Sequence, residues 1–561
     1  MAKVEKGKVF RAAGFLMVTM VISRILGYAR DVVLYNIFGQ NRITDAYNAA
    51  FSIPDFLYSI LVGGALSSAF IPVFSSYIAR EEKDEAWQVA SIVLNWVMLL
   101  LSFGIIICFV FTPQLIDLLV PGFDAEAKKL VITLTRIMLF QTVFMSLSGI
   151  TQGILHSYQH FTAPAVGSMI YNLFIVGLGA LLAGPIEARF PGYGVASFSI
   201  GVVTGSLASF AVQLRALRKI GIHYSWSFNF RHPGVQRLIS LMIPILIGLS
   251  VSQINGFVTQ GLGSSLSDGM IAALRTGQRF MQLPIGIFAI AIGIAIFPTL
   301  TSTAALNQID DFKKSMSLGV RSVMYITMPS AVGLAVLSEP IIRVMFEFGG
   351  EFTAEATTAA AQALVFYCFG LVGYSVTHVL SRSFYALQDT RTPVIIGIVS
   401  IVANVLFSLL LVGPLQHRGL ALAYSLAGII QCGLLLLFLW RKLQHIDLRN
   451  MIISFFKTAI ACVAMGAIAY GSAMVLGNAL DLSSKLNQVI QLGTAMVLAV
   501  IVFFVITGAM KMEEAGLVWD IFGKRFRRIG FLRRYFEKQK QAAAAAEAAS
   551  TATEPVENEE R

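Results

Sequence analysis

Charged residues are scarce in this sequence, and apolar residues are abundant. Lys, Arg, Asp and Glu make up 13% of the 561 residues, whereas hydrophobic residues make up 56% and the mean hydropathy is +0.73. A typical soluble domain has about 25% charged and about 45–50% apolar residues. So little charge cannot cover the surface of a water-soluble globule. This scarcity excludes the fibrous, disordered and ordinary cytosolic enzyme classes and predicts a polytopic membrane protein.

Cysteine and histidine are also scarce, and neither is arranged for chemistry. Seven histidines are scattered along the chain, and four cysteines stand alone in apolar runs, at Cys108, Cys368, Cys432 and Cys462. Isolated cysteines of this kind are typical of small core residues rather than of a metal site or a disulfide framework. The sequence contains no GxxxxGK[ST], HExxH or GxSxG motif. It therefore indicates no cofactor, no metal catalysis and no nucleophilic enzyme.

Long apolar runs dominate the chain. A membrane span needs about 20 mostly apolar residues, and fourteen runs qualify: 11–37, 44–77, 87–112, 130–155, 163–184, 193–216, 236–263, 269–300, 316–342, 356–386, 393–413, 419–440, 451–476 and 486–510. The first run carries Arg24 and lacks a small-residue cleavage site, so we expect a span there rather than a signal peptide. The predicted fold class is an all-α membrane protein with about 14 transmembrane helices.

Basic residues are distributed unevenly between the predicted connections. The net charge is +11, and Lys and Arg concentrate at both termini and after spans six and twelve, whereas residues 263–268 contain none. Connections rich in Lys and Arg lie on the cytoplasmic face. An even number of spans places both termini on one side. We therefore predict a multi-pass protein of the bacterial cytoplasmic membrane with both termini in the cytoplasm, and no nucleic-acid partner.

An internal repeat relates the two halves of the chain. Four residues recur 229 positions later, namely Gln159, Pro164, Gly184 and Pro185 at Gln388, Pro393, Gly413 and Pro414. Equivalent positions are six spans apart, so the halves have the same orientation, an architecture of transporters with a site between the halves. The predicted units are an N-terminal lobe (1–220), a C-terminal lobe (221–445), two additional spans (446–510), and a tail (511–561) with a basic amphipathic segment and a disordered end.

Four arginines lie inside predicted spans, where a charge costs about 2.5–3.5 kcal/mol at the bilayer centre. Arg24 and Arg30 lie roughly 20 and 29 Å from the cytoplasmic start of span 1. Arg275 and Arg279 lie roughly 9 and 15 Å from the outer start of span 8. Several guanidinium groups with few acids predict an anionic ligand, because the planar guanidinium binds phosphate oxygens in bidentate fashion. These four arginines form the predicted substrate-binding set around a central cationic cavity.

Acidic residues near these arginines are predicted to support the site. We expect Asp31 to hold Arg30 in place. Asp45, or Asp55 deeper in span 2, is expected to pair with an arginine while the cavity is empty. A structural alternative stays open, in which Arg30 and Arg275 snorkel to the outer interface and pair with these acids there.

Prolines interrupt spans 2 and 8 at related places. Pro54 lies in span 2 before Gly63 and Gly64, and Pro284 lies in span 8 before Gly286. Proline removes a hydrogen bond and bends a helix, and such breaks in both halves suit gating elements. A static kink accommodated by packing is the open alternative.

The run from Ser23 to Asp31, with the pattern SR-x-x-G-x-x-RD, is followed by Thr44-Asp45-Ala46. With these motifs the sequence closely resembles the MurJ (MviN) family, the lipid II flippases of bacterial peptidoglycan synthesis, within the superfamily of multidrug, oligosaccharidyl-lipid and polysaccharide exporters. Further similar stretches occur in both halves, at 69–72, 121–123, 278–284, 352–354 and 388–393. The resemblance covers nearly the whole chain except the tail.

The resemblance implies a two-lobed transporter of fourteen helices that moves lipid II from the inner to the outer leaflet by alternating access. The essential arginines of the family correspond to Arg24, Arg30 and Arg279, and its acidic positions to Asp31 and Asp45. The additional spans 13 and 14 are expected to form a groove for the lipid tail. Expected partners are lipid II and membrane lipids, with the cell-wall synthesis machinery as a further candidate.

This sequence departs from the family at two kinds of position. Tyr58 stands where many members have an arginine in span 2, Gly63 stands where some have a glutamate, and Arg275 is expected to supply the missing positive charge. Some members have a sodium site with acidic residues in spans 7 and 11, but 238–263 and 393–413 contain neither Asp nor Glu. A sodium site is therefore not expected, and coupling to another ion or to the membrane potential stays open.

Two other functions compete with the flippase. An exporter of another polyprenyl-diphosphate-linked glycan would use the same arginines, whereas like charge argues against a cationic drug. A membrane glycan polymerase would need a carboxylate as general base, for which Asp31 and Asp45 are the best-placed candidates. A scaffold that transports nothing would leave the cost of buried arginines unexplained.

Overall fold

The computed structural model describes Thr19, residues 22–62 and residues 65–516, and all regular structure in these ranges is helical. Several predictions lie outside the described residues: the beginning of span 1, the break at Gly63 and Gly64, and the amphipathic and disordered parts of the tail beyond residue 516. The prediction of an all-α membrane protein is confirmed for the described part of the chain.

The described helices follow one another with short connections. In chain order they are α1 (22–38), α2 (Arg42–Ala50), α3 (Ser52–Leu61), α4 (Ala65–Ala79), α5 (Lys83–Val110), α6 (Thr112–Leu119), α7 (Ala125–Ser157), α8 (Thr162–Arg189), α9 (Ala196–Ile220), α10 (Pro233–Ser264), α11 (Met270–Pro284), a π-helical turn (Ile285–Ala289), α12 (Ile290–Ala305), α13 (Ile309–Val336), α14 (Ser338–Phe346), α15 (Ala354–Ala386), α16 (Arg391–Leu415), α17 (His417–Leu443), α18 (Leu448–Ala479) and α19 (Lys485–Ala509).

Eleven helical segments of the described residues are long and apolar enough to cross a membrane. Each coincides with a predicted span. Helices also occupy the described parts of the three remaining predicted spans. The span 11–37 corresponds to α1, 44–77 to α2, α3 and α4, and 236–263 to α10. The total of fourteen is compatible with this arrangement and stays a prediction.

The internal repeat is visible in the helices. The 33-residue helix α7 begins at residue 125 and the 33-residue helix α15 begins at 354, a displacement of 229. The same displacement relates the starts of α8 at 162 and α16 at 391. Gln159 and Gln388, which precede those two helices, have φ angles of 57° and 58°. The parallel repeat that the sequence predicts is therefore confirmed by equivalent helices and equivalent turns.

The broken helices of spans 2 and 8 coincide with the two predicted prolines. Pro54 lies in the first turn of α3, where a backbone N–H has no partner within the helix and proline is tolerated. Pro284 ends α11 and directly precedes the π-helical turn. A π-helical turn relieves the backbone where proline removes a hydrogen bond. The structure places both prolines at breaks, and their role in gating stays a prediction.

The apolar core of the described helices consists of two clusters. One apolar cluster unites the N-terminal helices near residues 34–53 and 116–139 with the C-terminal helices. A second cluster lies within residues 62–101, 150–163 and 217–238. The first cluster adjoins the connections 39–41, 265–269 and 347–353, and this end of the bundle is termed the closed end. The end that carries 80–82, 221–232 and 387–390 is termed the opposite end.

Candidate substrate-binding site between the two lobes

Two arginines from different lobes share one carboxylate. The guanidinium of Arg30 donates from Nε to Asp31 Oδ1 at 3.1 Å, and its Nη2 lies 3.1 Å from the same oxygen. Nη1 of Arg279 forms an ion pair with the other oxygen, Oδ2. The side chain of Asp31 is 9% exposed. Because two guanidinium groups face one carboxylate, one positive charge remains uncompensated in a largely buried position.

A tyrosine fixes the same junction from the other side. The hydroxyl of Tyr28 in α1 donates a hydrogen bond to the backbone oxygen of Arg279 at 3.1 Å, and its ring lies 5.6 Å from that of Phe280. These contacts set the position of α1 against α11 independently of the charged groups. Tyr28 lies inside the motif that carries the family resemblance, but a tyrosine in an apolar helix gives no sequence signal for this contact.

Arg24 rests against the π-helical turn after Pro284. A Cβ atom at Gly286 would lie 2.8 Å from both Nη1 and Nη2 of Arg24. Only a residue without a side chain lets a guanidinium approach the helix backbone this closely. Arg24 itself is exposed, and among the described residues it has no ion pair. It is therefore the member of the predicted set most available to a ligand.

Arg275 is held by the N-terminal lobe rather than directed to the outer interface. Its Nη1 donates to the backbone oxygen of Asn48 at 3.0 Å, and its guanidinium carbon lies 5.4 Å from the centre of the Phe51 ring. Arg275 and Asp55 line the same cavity, which has a volume of about 360 Å³. The cavity lies between residues 48–55 of span 2, α10, α11 and two tyrosines, Tyr367 and Tyr424.

Asp45 joins span 2 to the start of α11. Its two carboxylate oxygens accept hydrogen bonds from the backbone N–H groups of Gly269 at 2.7 Å and Ala272 at 2.8 Å. These N–H groups belong to the start of α11, where the helix dipole favours a negative charge. Asp45 thus binds backbone of the other lobe rather than an arginine. Beside it, Arg42 and Asp268 form an ion pair at 2.7 Å.

The arrangement separates the predicted residues into two groups. The structure brings together Arg30, Asp31 and Arg279, places Arg24 on the adjacent π-helical turn, and sets Arg275 and Asp45 between span 2 and α11. Sequence reasoning missed the Arg42–Asp268 pair. It also missed Asn48 and Gln278, which line the cavity. Both are uncharged polar residues inside predicted membrane spans.

No group of three or more His, Cys, Asp or Glu residues that could hold a metal ion occurs in the described ranges. Asn255 of α10 and Asn404 of α16 approach each other to 2.5 Å through their side-chain amides, so uncharged side chains connect the two helices in which a sodium site was considered. The absence of sodium coupling stays a prediction.

Comparisons with known proteins agree with these features. Residues 34–510 match the model of a family described as lipid II flippase MurJ. The chain is 32% identical to a probable lipid II flippase MurJ of Vibrio cholerae serotype O1 over 448 residues, which cover 78% of this chain and 84% of the relative. A similar protein from Haemophilus influenzae is 30% identical, with coverages of 80% and 90%.

A solved structure of the lipid II flippase MurJ in an inward closed conformation superposes with a TM-score of 0.72 and 27% identity, covering 89% of this chain and 99% of that one. An inward-facing multidrug transporter of the MATE family superposes with a TM-score of 0.58 at 15% identity, which shows a shared fold alone. The matched share of the chain and the identity to its relatives establish that this chain belongs to the MurJ family of lipid II flippases.

Proposed function

We propose that this protein is a flippase and not an enzyme, and that it moves lipid II from the inner to the outer leaflet of the bacterial cytoplasmic membrane for cell-wall synthesis. Lipid II is an undecaprenyl diphosphate that carries a disaccharide with a peptide. The observation that carries the proposal is the junction of Arg30, Asp31 and Arg279, where two guanidinium groups from the two lobes share a single carboxylate. Membrane-embedded positive charge of this kind suits an anionic ligand.

The diphosphate supplies the negative charge that this junction of two guanidinium groups and one carboxylate lacks. Its negative oxygens can take the place of Asp31 on one or both guanidinium groups, and bidentate Arg–phosphate pairs are strong and directional. Arg24 is exposed beside Gly286 and is available to a ligand. Arg275 lies on the cavity wall, where it contacts Asn48 and Phe51. It would serve the sugar or peptide part of the ligand.

The arrangement of contacts supports alternating access between two states. At the closed end Asp45 and the Arg42–Asp268 pair join span 2 to α11, whereas at the opposite end the apolar cluster of the N-terminal helices includes only the connection 221–232 and the start of α10 from the C-terminal lobe. With both termini in the cytoplasm, as we propose, the described conformation is closed to the outside. Movement of the ligand then requires these closed-end contacts to break, with Pro54 and Pro284 as the bending points.

The acidic residues argue against a glycan polymerase. A general base needs a carboxylate that can reach the substrate and accept its proton. Asp31 is occupied by Arg30 and Arg279, and both oxygens of Asp45 are occupied by backbone N–H groups. We further propose that α18 and α19 accommodate the lipid tail, that no sodium site is involved, and that the cell-wall synthesis machinery receives the product.

Expression in a bacterium depleted of its own lipid II flippase tests the proposal. The measured quantity is the fraction of lipid II that an agent outside the cytoplasmic membrane can reach. We expect the wild type to restore exposure and growth, and Arg24→Ala or Arg279→Ala to lose both. Arg449→Ala, which removes an exposed arginine at the opposite end, serves as control and should restore exposure. Good expression of the wild type without exposed lipid II would reject lipid II as the substrate.

A further inference from the structure

An extended segment between α9 and α10 presents a row of exposed aromatic rings. Residues 222–229 have no regular secondary structure, and every second residue is aromatic: Tyr224, Trp226, Phe228 and Phe230 are 50%, 79%, 37% and 51% exposed. In an extended chain, alternate side chains point to opposite faces. The residues between the rings, Ser225, Ser227 and Asn229, are polar. The segment therefore has one aromatic and one polar face.

Side chains of α5 hold the backbone of the segment and the hydroxyl of Tyr224. The Asn95 amide donates to the backbone oxygen of Ser227 at 2.8 Å, and its oxygen accepts from the Tyr224 hydroxyl at 2.7 Å. The backbone N–H of Ser225 donates to the Ser91 hydroxyl at 3.1 Å. Irregular backbone is tolerated beside lipid only where protein groups satisfy it. These contacts fix the segment against α5, with the aromatic rings still 37–79% exposed.

The segment adjoins the lipid-facing surface of a membrane span. The indole nitrogen of Trp96 in α5 donates to the backbone oxygen of Phe228 at 3.3 Å, and the ring lies 5.8 Å from that of Phe228 and 5.5 Å from that of Phe230. The next residues on α5, including Leu99, Leu100 and Phe103, are exposed and apolar. Aromatic rings at the edge of an apolar span mark the interface between hydrocarbon and headgroups.

A basic groove precedes the aromatic segment directly. Arg215, Arg218 and Lys219 are exposed in the last turns of α9 and, with Ala211 and Leu214, line a cavity of about 510 Å³ that has no acidic lining residue in the described chain. The chain leaves α9 through Gly221, whose φ of +94° is a conformation that favours glycine. The groove and the aromatic segment are therefore neighbours in the chain, separated only by residues 220–223.

We infer that this surface, formed by Arg215, Arg218, Lys219 and the aromatic face of residues 224–230, binds an anionic glycerophospholipid of the surrounding bilayer. The three cationic side chains bind the phosphate of the headgroup, because clusters of Lys and Arg beside a membrane attract anionic lipids. The aromatic rings lie at the level of the glycerol backbone and the first part of the acyl chains. A lipid fits better than a protein, since the rings continue the lipid-facing surface of α5. This inference is independent of the transported substrate.

Fluorescence quenching by brominated phospholipids in nanodiscs tests the aromatic part. The fluorescence of Trp226 is obtained by subtracting the emission of Trp226→Phe from that of the wild type. The variant keeps the other four tryptophans. We expect bromine near the headgroup to quench this signal at least twofold more than bromine near the end of the acyl chains. A Trp226 signal that no brominated lipid quenches would place the segment in water or against a protein and overturn the inference.

Lipid retention tests the basic part. The purified protein is exposed to equal amounts of phosphatidylglycerol and phosphatidylcholine, and bound lipid is counted by native mass spectrometry. We expect preferential retention of phosphatidylglycerol, and at least threefold less of it in the Arg215→Gln, Arg218→Gln, Lys219→Gln variant. Arg441→Gln with Arg449→Gln removes two other exposed cations of the same end and should leave retention unchanged. Equal retention in the triple variant, or equal loss in the control, contradicts a defined site.

Discussion

Asp31 of α1 forms an ion pair with Arg279 of α11 and thereby joins the two lobes. The same carboxylate also holds Arg30, so the junction is a triad with an excess positive charge. A ligand with two phosphate groups can replace Asp31 and keep both arginines paired. The triad is a structural contact between the lobes, and it is also the site that we propose for the diphosphate.

Arg279→Gln should reduce the exposure of lipid II at least tenfold. A hydrogen bond to a charged group contributes about 1.5–3 kcal/mol, and about 1.4 kcal/mol corresponds to a factor of ten. The measurement is lipid II accessibility in flippase-depleted cells. Arg279→Lys keeps the charge but loses the planar guanidinium, so its activity should be intermediate. Wild-type activity in Arg279→Gln would contradict a role of Arg279 in substrate binding.

Asp45→Ala should open the closed end. The substitution removes two hydrogen bonds to the start of α11, each worth about 1.5–3 kcal/mol because the acceptor is charged. The readout is the rate at which a membrane-impermeant maleimide labels Asn48→Cys from outside, in a chain whose four native cysteines are serine. We expect an increase of about tenfold.

Asp268→Ala is the matched control for this experiment. It removes only the ion pair with Arg42, in which the Asp268 side chain is 58% exposed. Exposed ion pairs contribute about 0–1 kcal/mol, so labelling should rise less than about fivefold. A larger effect for Asp268→Ala than for Asp45→Ala would show that the surface pair, and not the buried carboxylate, keeps the end closed.

Gly286→Ala should impair transport while leaving the fold intact. A Cβ atom at this position would lie 2.8 Å from two nitrogens of Arg24, and the long exposed side chain of Arg24 can move away without disturbing the core. We expect a several-fold loss of lipid II exposure with unchanged thermal unfolding. Gly333→Ala introduces the same methyl group in α13, where nothing lies within 4 Å, and should be neutral. Equal activities of the two variants would exclude the position of Arg24 as the cause.

The turn before α16 should give a pH-dependent contribution to stability. Burial raises the pKa of Asp389, but the Lys442 ammonium at 2.6 Å and two hydrogen bonds from Thr392 lower it by more. The net result is a pKa of about 2 instead of 3.8. A carboxyl group whose pKa is lower in the folded than in the unfolded state stabilises the fold at pH values above its unfolded pKa. This stabilisation is lost as the pH falls towards the folded pKa. Asp389→Asn should therefore lower the unfolding temperature between pH 7 and pH 4, and the difference should shrink below pH 4.

Lys442→Gln provides the control for the turn. It removes the ammonium but keeps the hydrogen bonds from Thr392, so its destabilisation should be smaller than that of Asp389→Asn. Thermal unfolding in detergent at several pH values measures both variants. A difference between wild type and Asp389→Asn that persists unchanged below pH 3 would show that the carboxylate acts through packing and not through its charge.

The sequence by itself determined the class of protein and the repeated helical plan. A bilayer requires long apolar helices because unpaired backbone groups are too costly in lipid. The runs therefore predict the long helices, but neither the division of 44–77 into α2, α3 and α4 nor the short helices α6 and α14. The same cost makes intramembrane charges conspicuous, which is why Arg24, Arg30, Arg275 and Arg279 could be selected before their surroundings were known. Recurrence at 229 residues was enough to predict the parallel repeat.

Only the tertiary structure decided which groups meet. The rotation and tilt of α1 against α11 depend on packing, and they assign Asp31 to Arg279 as well as to its neighbour Arg30. They also direct Asp45 to backbone N–H groups rather than to an arginine, because the start of α11 lies within reach of its carboxylate. Helix periodicity specifies one face of each helix, but not which face of another helix lies opposite. Contacts between distant helices therefore carried the information about the site that the sequence could not supply.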